Sequence, residues 1–507
     1  MDDKLEKLVT RYQKAAAKKA DWEEHWRECY EYAFPQRENV SVNGYGENYG
    51  AKKNLHLYDG TAPDAVDQLA SSLLAELTPP WAKWFGLKAG NELTETESAQ
   101  IADTLEKTSD VMLQNFEHSN FAVEIHQCYL DLVTAGTACL MFEEAPVGEA
   151  SAFQFYAVPL REIAIEESAS GKIDTTFRCS GISAAGIRER FPECEIPAEF
   201  QKRCEDDPDY RVRLIEAVIP RSGRCGVCGY EYTAFVCDDG LGPEQGFIVR
   251  EGVFETSPFI NFRWLKAPGE VYGRSPVMKA LPDIKTANKV VELILKNASI
   301  SVTGIWQAED DGVLNPANIK LVPGAIIPKA VGSKGLTPLE APGKFDISQL
   351  VLEDLRKRIN HALLADRLAE VNTPAMTATE VLERSAEIAR ILGASFGRMQ
   401  SELLTPLLKR AFYILRRRGD IMNFDLDGKI VDLQYKSPLA LAQARKDVGN
   451  ISEWVSLVAT LGTDGMAAVN FFEAAKWLGK TLNVPAGLII ENKPELPVLE
   501  GTDAAEL

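Results

Sequence analysis

Histidine is scarce in this chain, five in 507 residues, and His25, His56, His118, His126 and His361 never fall at the spacing of a metal site. That excludes a zinc protease of the H-E-x-x-H type. A G-x-S-x-G elbow is missing too, because Gly181-Ile182-Ser183-Ala184-Ala185 lacks the second glycine. So is a phosphate cradle. Gly479-Lys480-Thr481 offers the end of a P-loop, but Ala474 stands where its first glycine belongs, and the segment has a helical pattern. An apolar run of the ~20 residues needed for a membrane span is absent. Basic excess is lacking as well: the formal net charge is −19, whereas proteins that grip nucleic acid neutralise phosphates with Lys and Arg. These absences argue against a nucleotide hydrolase, a nuclease and a strong general DNA binder. A site assembled from distant residues stays open, though nothing in the sequence points to one.

Cysteine is present without a framework. The nine residues, from Cys29 to Cys237, are odd in number and spread over a long chain, which fits a reducing compartment better than a disulfide scaffold. Cys225-Gly226-Val227-Cys228 is the sharpest local motif. Two thiolates at that spacing can share zinc, with Cys204 or Cys237 as a third ligand, but the second C-x-x-C or C-x-x-H pair is missing. A plain hairpin turn is expected there. Asn423-x-Asp425-x-Asp427-Gly428 imitates a calcium loop, yet its twelfth position is Gln434, which cannot supply the bidentate carboxylate. A hairpin is expected here too, from strands 421–426 and 429–435. Met1-Asp2-Asp3-Lys4 leads into a charged helix, so a signal peptide is not expected.

What the chain does have is core material. Hydrophobic residues make up 45% and charged residues 25%, enough for two or three cooperating modules and too apolar for wholesale disorder. Helical spacing runs from Leu5 to Ala33 and stops at Pro35. Further helices are expected after Asp59-Gly60-Thr61, after a Thr94/Glu97 capping box through Phe116, and over 121–135. Between 138 and 261 the pattern turns to short β-type runs (152–158, 174–179, 210–219, 230–237 and 247–254) with two short helices, 183–191 and 197–204. Ser275-Pro276 opens a helix carrying Ile284, Ala287, Val291 and Ile294, and a second, from Asp346, carries Leu350, Leu355 and Ile359. The 40 or so residues between them are rich in Gly, Pro and β-branched types, where a simple helical hairpin needs only about 2–8. A small β-containing module therefore sits at the tip of two antiparallel helices. Pro374 breaks the chain, and a long helix follows through Ile414. Its 40 residues would span roughly 60 Å, with bends expected at Gly393, Gly397 and Pro406. Residues 439–478 are helical again, and the Pro494/Pro497 stretch is expected to be a flexible tail. The fold class is mixed α/β, predominantly α-helical.

Three segments resemble the portal, or head-to-tail connector, proteins of short-tailed (T7-like) DNA phages. They are Tyr58-Asp59-Gly60-Thr61-Ala62 through Leu77-Thr78-Pro79-Pro80-Trp81-Ala82-Lys83-Trp84-Phe85; Val271-Tyr272-Gly273-Arg274-Ser275-Pro276 with Ala280-Leu281-Pro282-Asp283-Ile284-Lys285; and Met376-Thr377-Ala378-Thr379-Glu380-Val381. Ser437-Pro438-Leu439-Ala440 is a weaker fourth. Their order covers about residues 5–480. The resemblance implies a wing (1–272), a first stem helix (273–302), a clip (303–345), a second stem helix (346–371), a tunnel loop (372–379), a long bent helix and β-hairpin returning to the wing (380–436), a helical crown (437–490) and a flexible tail (491–507).

The same resemblance implies a ring, commonly of twelve subunits, at one capsid vertex, through which double-stranded DNA is packaged and later ejected without sequence specificity. Its partners would be the major capsid protein and scaffold, the terminase large subunit, and the tail adaptor and tail proteins. It would be part of the virion, assembled in the host cytoplasm, with no membrane, cofactor, metal or catalytic residue. Asn372, Thr373, Pro374, Ala375 and Met376 would line the channel as the tunnel loop, and Val322, Pro323, Ile326 and Ile327 would dock motor and tail. An acidic lining would lower friction on sliding DNA, which a basic one would trap. Two alternatives stay open: another structural protein such as a tail adaptor or scaffold, which would not need the β insert, and a packaging enzyme, which would need the missing P-loop or carboxylate-metal motifs.

Overall fold

The structure is a computed structural model that describes residues 3–37, 56–90, 95–194, 196–198, 200–202, 210–223, 226–237, 246–303, 306–308, 331, 336–338, 345–368, 393, 395–422, 431–435, 438–460, 469–481 and 484. It is mixed α/β and predominantly helical.

The N-terminal part is helical: α1 (Asp3–Ala33), α2 (Thr61–Leu77), α3 (Glu95–Glu117) and α4 (Phe121–Ala135), with strand β1 (Phe85–Ala89) between α2 and α3. The last eight residues of α4, Cys128 to Ala135, are all buried. A helix whose second half is buried on every side lies inside a core, and α4 sits between α1, α2 and a sheet. Gly136 ends it in the left-handed conformation at φ 78°, where glycine carries no Cβ penalty.

That sheet is antiparallel, β3-β2-β9 in order, built from β2 (Thr137–Glu144), β3 (Phe153–Val158) and β9 (Phe259–Arg263). A second antiparallel sheet runs in the order β4-β5-β6-β7-β8, from β4 (Ile163–Glu167), β5 (Ile173–Ser183), β6 (Arg211–Gly223), β7 (Gly226–Cys237) and β8 (Phe247–Phe254). Its alternation serves two cores. Val212, Leu214, Ala234 and Val236 face Ile187 of the short helix α5 (Ala184–Arg190), together with Phe191 and Phe200. Ile215, Ala217 and Phe235 face the other way, onto Leu5, Leu8 and Ala15 of α1. A period of two with both faces covered is what a strand buried on both sides requires. Ser183 caps α5 by accepting from the Gly186 N–H at 3.1 Å. The β6–β7 ladder closes at Gly223↔Gly226, which puts the C-x-x-C motif at a hairpin reversal; Cys225 and Cys204 lie outside the described residues.

Two long helices follow, α6 (Pro276–Thr303) and α7 (Phe345–Ala362), packed along each other. Arg358, late in α7, bonds Asp283, early in α6, at 2.9 Å, so the pair is antiparallel. At its other end β10 (Trp306–Ala308) and β11 (Leu336–Pro338) pair antiparallel. The rest of the segment between them lies outside the described residues, except Val331. After the single turn α8 (Ala365–Leu368), the chain is next described continuously from 395, entering a π turn (Gln400–Leu404) and then α9 (Thr405–Arg418), which ends at Gly419 with φ 83°. The C-terminal helices are α10 (Pro438–Ala459) and α11 (Phe471–Thr481).

The structure adds detail to two of the expected features. The bend expected at Pro406 takes the form of a π turn just before it: Thr405 N bonds Gln400 O, one residue wider than an α-turn. Proline has no N–H to give Glu402 O, so a widened turn accommodates it. Of the expected hairpin 421–435, only residues 421–422 and 431–435 are described. Ile421 and Met422 are not in a strand, and Met422 is exposed. β12 (Val431–Tyr435) pairs with β1, Leu87 opposite Leu433 and Ala89 opposite Val431. That partner allows Val431 to join the main core with Phe85 and Leu87. Residues 423–430, with the calcium-like sequence, the Thr94 cap and the tail all lie outside the described residues.

Candidate functional site: the root of the helix pair

The first two resemblance segments meet in space where the antiparallel pair leaves the rest of the fold. Ser275 starts α6: its hydroxyl accepts from Met278 N at 2.9 Å and donates to Thr134 O at 2.9 Å, so one side chain caps α6 and ties it to the end of α4. Pro276 takes the first turn, where a missing N–H costs nothing. Just before it, Gly273 lies against Gly136. A Cβ on Gly273 would meet Gly136 O at 2.1 Å, and one on Gly136 would meet Gly273 O at 2.5 Å. Only two glycines let these backbones approach so closely. Tyr272 is buried against Trp26, with ring centroids 5.0 Å apart in an edge-to-face arrangement, and its hydroxyl accepts from Ile165 N.

The 58–61 segment grips both helices. Asn288, on α6, accepts from Tyr58 N at 2.6 Å and Asp59 N at 3.1 Å through Oδ1 and donates to His56 O at 2.8 Å through Nδ2. Asp59 Oδ1 accepts from Thr61 N at 3.0 Å, which satisfies a free N–H at the start of α2. Its Oδ2 accepts from Arg356 of α7, Nε at 3.0 Å and Nη2 at 2.8 Å. Burial pushes the Asp59 carboxyl up, but the Thr61 hydrogen bond and the Arg356 guanidinium outweigh that and hold it below the usual carboxylate range. Lys285 of α6 adds an ion pair to Glu28 of α1 at 2.6 Å.

A second clamp joins the root to the long helix. The Arg263 side chain, fully buried, bonds both oxygens of Glu402 in the π turn: Nη2 to Oε1 at 2.6 Å and Nε to Oε2 at 3.2 Å, while Arg263 N reaches Oε2 at 3.0 Å. Its Nη1 donates to Val271 O at 2.9 Å and to Glu167 at 3.2 Å. Burial pushes Glu167 up, but Lys266 and Arg263 together hold it below its usual value. One guanidinium therefore links β9, β4, the loop that opens α6, and the helix beyond α7. A bidentate Arg–carboxylate pair out of water fixes geometry as well as charge.

These contacts tie the helix pair to the rest of the fold. Among the described residues, no group of three or more His, Cys, Asp or Glu is placed to hold a metal, and no helix is long and apolar enough to cross a membrane. Asn372 to Met376 and Val322, Pro323, Ile326 and Ile327 all lie outside the described residues, as does the third resemblance segment. Sequence reading passed over Asn288, Arg356, Arg263 and Glu402. Two of these left a trace: Asn288 interrupts the apolar stripe of α6, and Arg263 ends the mostly apolar run Phe259 to Phe262.

Over most of its length the chain is similar in sequence to portal proteins of several phages. The chain is 25% identical to the probable portal protein of Bordetella phage BPP-1 over 93% of this chain and 85% of that one. It is 23% identical to the portal protein of Salmonella phage epsilon15 (90% and 83%) and 19% identical to that of Escherichia phage T7 (78% and 72%). Among solved structures, the virion of a native gene transfer agent particle matches at TM-score 0.37 and 12% identity, over 88% of this chain and 99% of that one. The sequence model of the family described as bacteriophage head to tail connecting protein matches residues 5–490, nearly the whole length, and the chain belongs to that family.

Proposed function

We propose that this head-to-tail connecting protein works as a portal: a ring, of twelve copies, that forms a channel at one capsid vertex for double-stranded DNA. The observation that carries this reading is the antiparallel pair α6/α7, rooted in the wing by Asp59, Asn288 and Ser275 and bearing exposed Leu293 and Leu295 on one helix and Leu350 and Val351 on the other. Large apolar side chains on two projecting helices call for protein cover, and neighbouring copies in a cyclic, head-to-tail arrangement supply it. In this reading α6 and α7 are the stem, 303–345 the clip and 437–490 the crown.

The ring docks the terminase motor and then the tail through Val322, Pro323, Ile326 and Ile327, and it meets the capsid protein and scaffold around its rim. Asn372 to Met376 project into the channel and touch DNA through uncharged groups. The chain hydrolyses no nucleotide and cuts no DNA. Negative-stain images of the pure protein and the mass of the assembled particle test the ring: flat annuli with a central hole and a mass near twelve chains are expected, and monomers at micromolar concentration in several salts would contradict it. Replacing 372–376 with a short glycine linker should leave rings intact and impair DNA retention or passage.

A further inference from the structure

Arg410 of α9 is a guanidinium in an unusual position. It is 4% exposed and is not within ion-pair distance of a carboxylate among the described residues. Its Nε donates to Phe142 O at 2.6 Å, and its Nη1 donates to Thr256 O at 2.7 Å and to Thr256 Oγ1 at 3.3 Å. The rings of Phe142 and Phe254 lie 5.7 and 5.4 Å from its Cζ. Nη2 has no acceptor among the described residues. Burial pulls the group down to about 10, only partly opposed by the negative charge of Glu143, as expected for a cation that has given up water without gaining an anion.

Arg410 lines a cavity of about 410 Å³ between α9 and the strands β2, β6, β7 and β8. The cavity's acids are already matched, with one exception. Glu144 is held by Arg417 and Arg418, Glu216 by Arg190, Arg178 and the Tyr232 hydroxyl, and Glu251 by Lys4. Glu143 has no cation within ion-pair distance among the described residues, but it is exposed and screened by water. On the cationic side, Arg250 lines the same cavity, exposed and without an ion-pair partner among the described residues. The unmatched charge is therefore a buried Arg410 and an exposed Arg250 against one exposed acid.

We propose that this cavity is a carboxylate-binding site, in which an incoming carboxylate takes Nη2 of Arg410 from the inside and Arg250 from the mouth. A carboxylate fits better than a nucleic-acid phosphate, because a group buried this deeply behind Phe254 and Tyr413 is out of reach of a duplex backbone. The carboxylate comes either from a free organic acid or from an acidic side chain of a docked protein segment.

Calorimetric titration of the assembled protein with acetate, with a blocked Gly-Glu-Phe-Gly peptide and with inorganic phosphate tests this. Acetate and the peptide should bind, and a density map of the acetate-soaked protein should show the anion beside Nη2. Tighter binding of the peptide assigns the source to a protein; equal binding assigns it to a small acid. Arg410→Gln should weaken carboxylate binding at least tenfold, and the exposed Arg250→Gln, which leaves the core untouched, several-fold. An absence of heat and of density with wild type, equal affinity in Arg250→Gln and wild type, or phosphate binding tighter than both carboxylates would overturn the proposal.

Discussion

Arg356 and Asp59 lie 297 positions apart, and Arg356 places both Nε and Nη2 on a single oxygen of the Asp59 carboxylate, at 3.0 and 2.8 Å. The other oxygen is engaged by Thr61 N. One buried carboxylate therefore starts α2 and anchors α7, so the second helix of the pair is held at its root by a residue encoded at the beginning of the chain.

Replacing Arg356 with Ala should destabilise the fold by about 1–2 kcal/mol, the lower part of the range for a charged hydrogen bond because Arg356 is partly exposed. Asp59→Asn should cost a similar amount. Chemical denaturation of dissociated protein at neutral pH measures both.

The same pair sets an acid limb. The folded Asp59 carboxyl is held below its unfolded value, so its contribution is complete above the unfolded value, about pH 4, and is lost as pH falls through the folded one. In Arg356→Ala the folded value rises, so the wild-type advantage should shrink on acidification from neutral pH. Denaturation midpoints at a series of pH values check it; a constant difference would show that the pair contributes only through packing.

The clamp at the π turn should be costlier to break. Glu402→Gln or Arg263→Met breaks the bidentate bonds while Glu167 still faces Arg263 and Arg398 still faces Glu402, so a loss of about 2–3 kcal/mol is expected, the upper part of the range for hydrogen bonds to charged groups. The double variant Arg263→Met/Glu402→Leu should lose less than the sum, because both single changes remove the same bonds. A double-mutant cycle in denaturant measures the coupling.

Gly273→Ala should be among the most damaging small substitutions. Its Cβ would collide with the Gly136 backbone, which is not the far end of a flexible side chain and cannot swing away. A loss of about 3 kcal/mol or more is expected, seen as insoluble protein or a large drop in melting temperature, whereas Gly449→Ala, with open space around it, should be neutral or slightly stabilising.

On the proposed ring surface, Leu350→Glu and Leu293→Glu should leave the subunit within about 0.5 kcal/mol of wild type, because both side chains are exposed in the single chain. Assembly should fail, with sedimentation showing small species that keep a native circular-dichroism spectrum. Rings that persist in both variants would remove these positions from the interface.

Local chemistry sufficed to predict several helix ends and the strands β3, β5, β6, β7, β8 and β12, but not β1, β2, β4 or β9. Pro35 follows the end of α1, Ser275-Pro276 opens α6, Gly136 and Gly419 stop helices, and alternation in β6 and β7 points to a sheet, because caps and side-chain periods depend on residues within a few positions of one another. The order of the resemblance segments carried the family. Apart from the antiparallel pairing of α6 and α7, what remained hidden was which distant residues meet. β12 pairs with β1, about 345 positions earlier, and that pairing brings Val431 into the main core, a relationship invisible from residues 421–435 alone. Arg263 meets Glu402, 139 positions on, and Arg356 meets Asp59, because helices and sheets first pack by their apolar faces and only then bring the charges together. Caps, breaks and periods were set by the sequence alone; the partner of each buried charge was decided by the tertiary structure, since a desolvated ion must be matched by whatever group the packing leaves beside it.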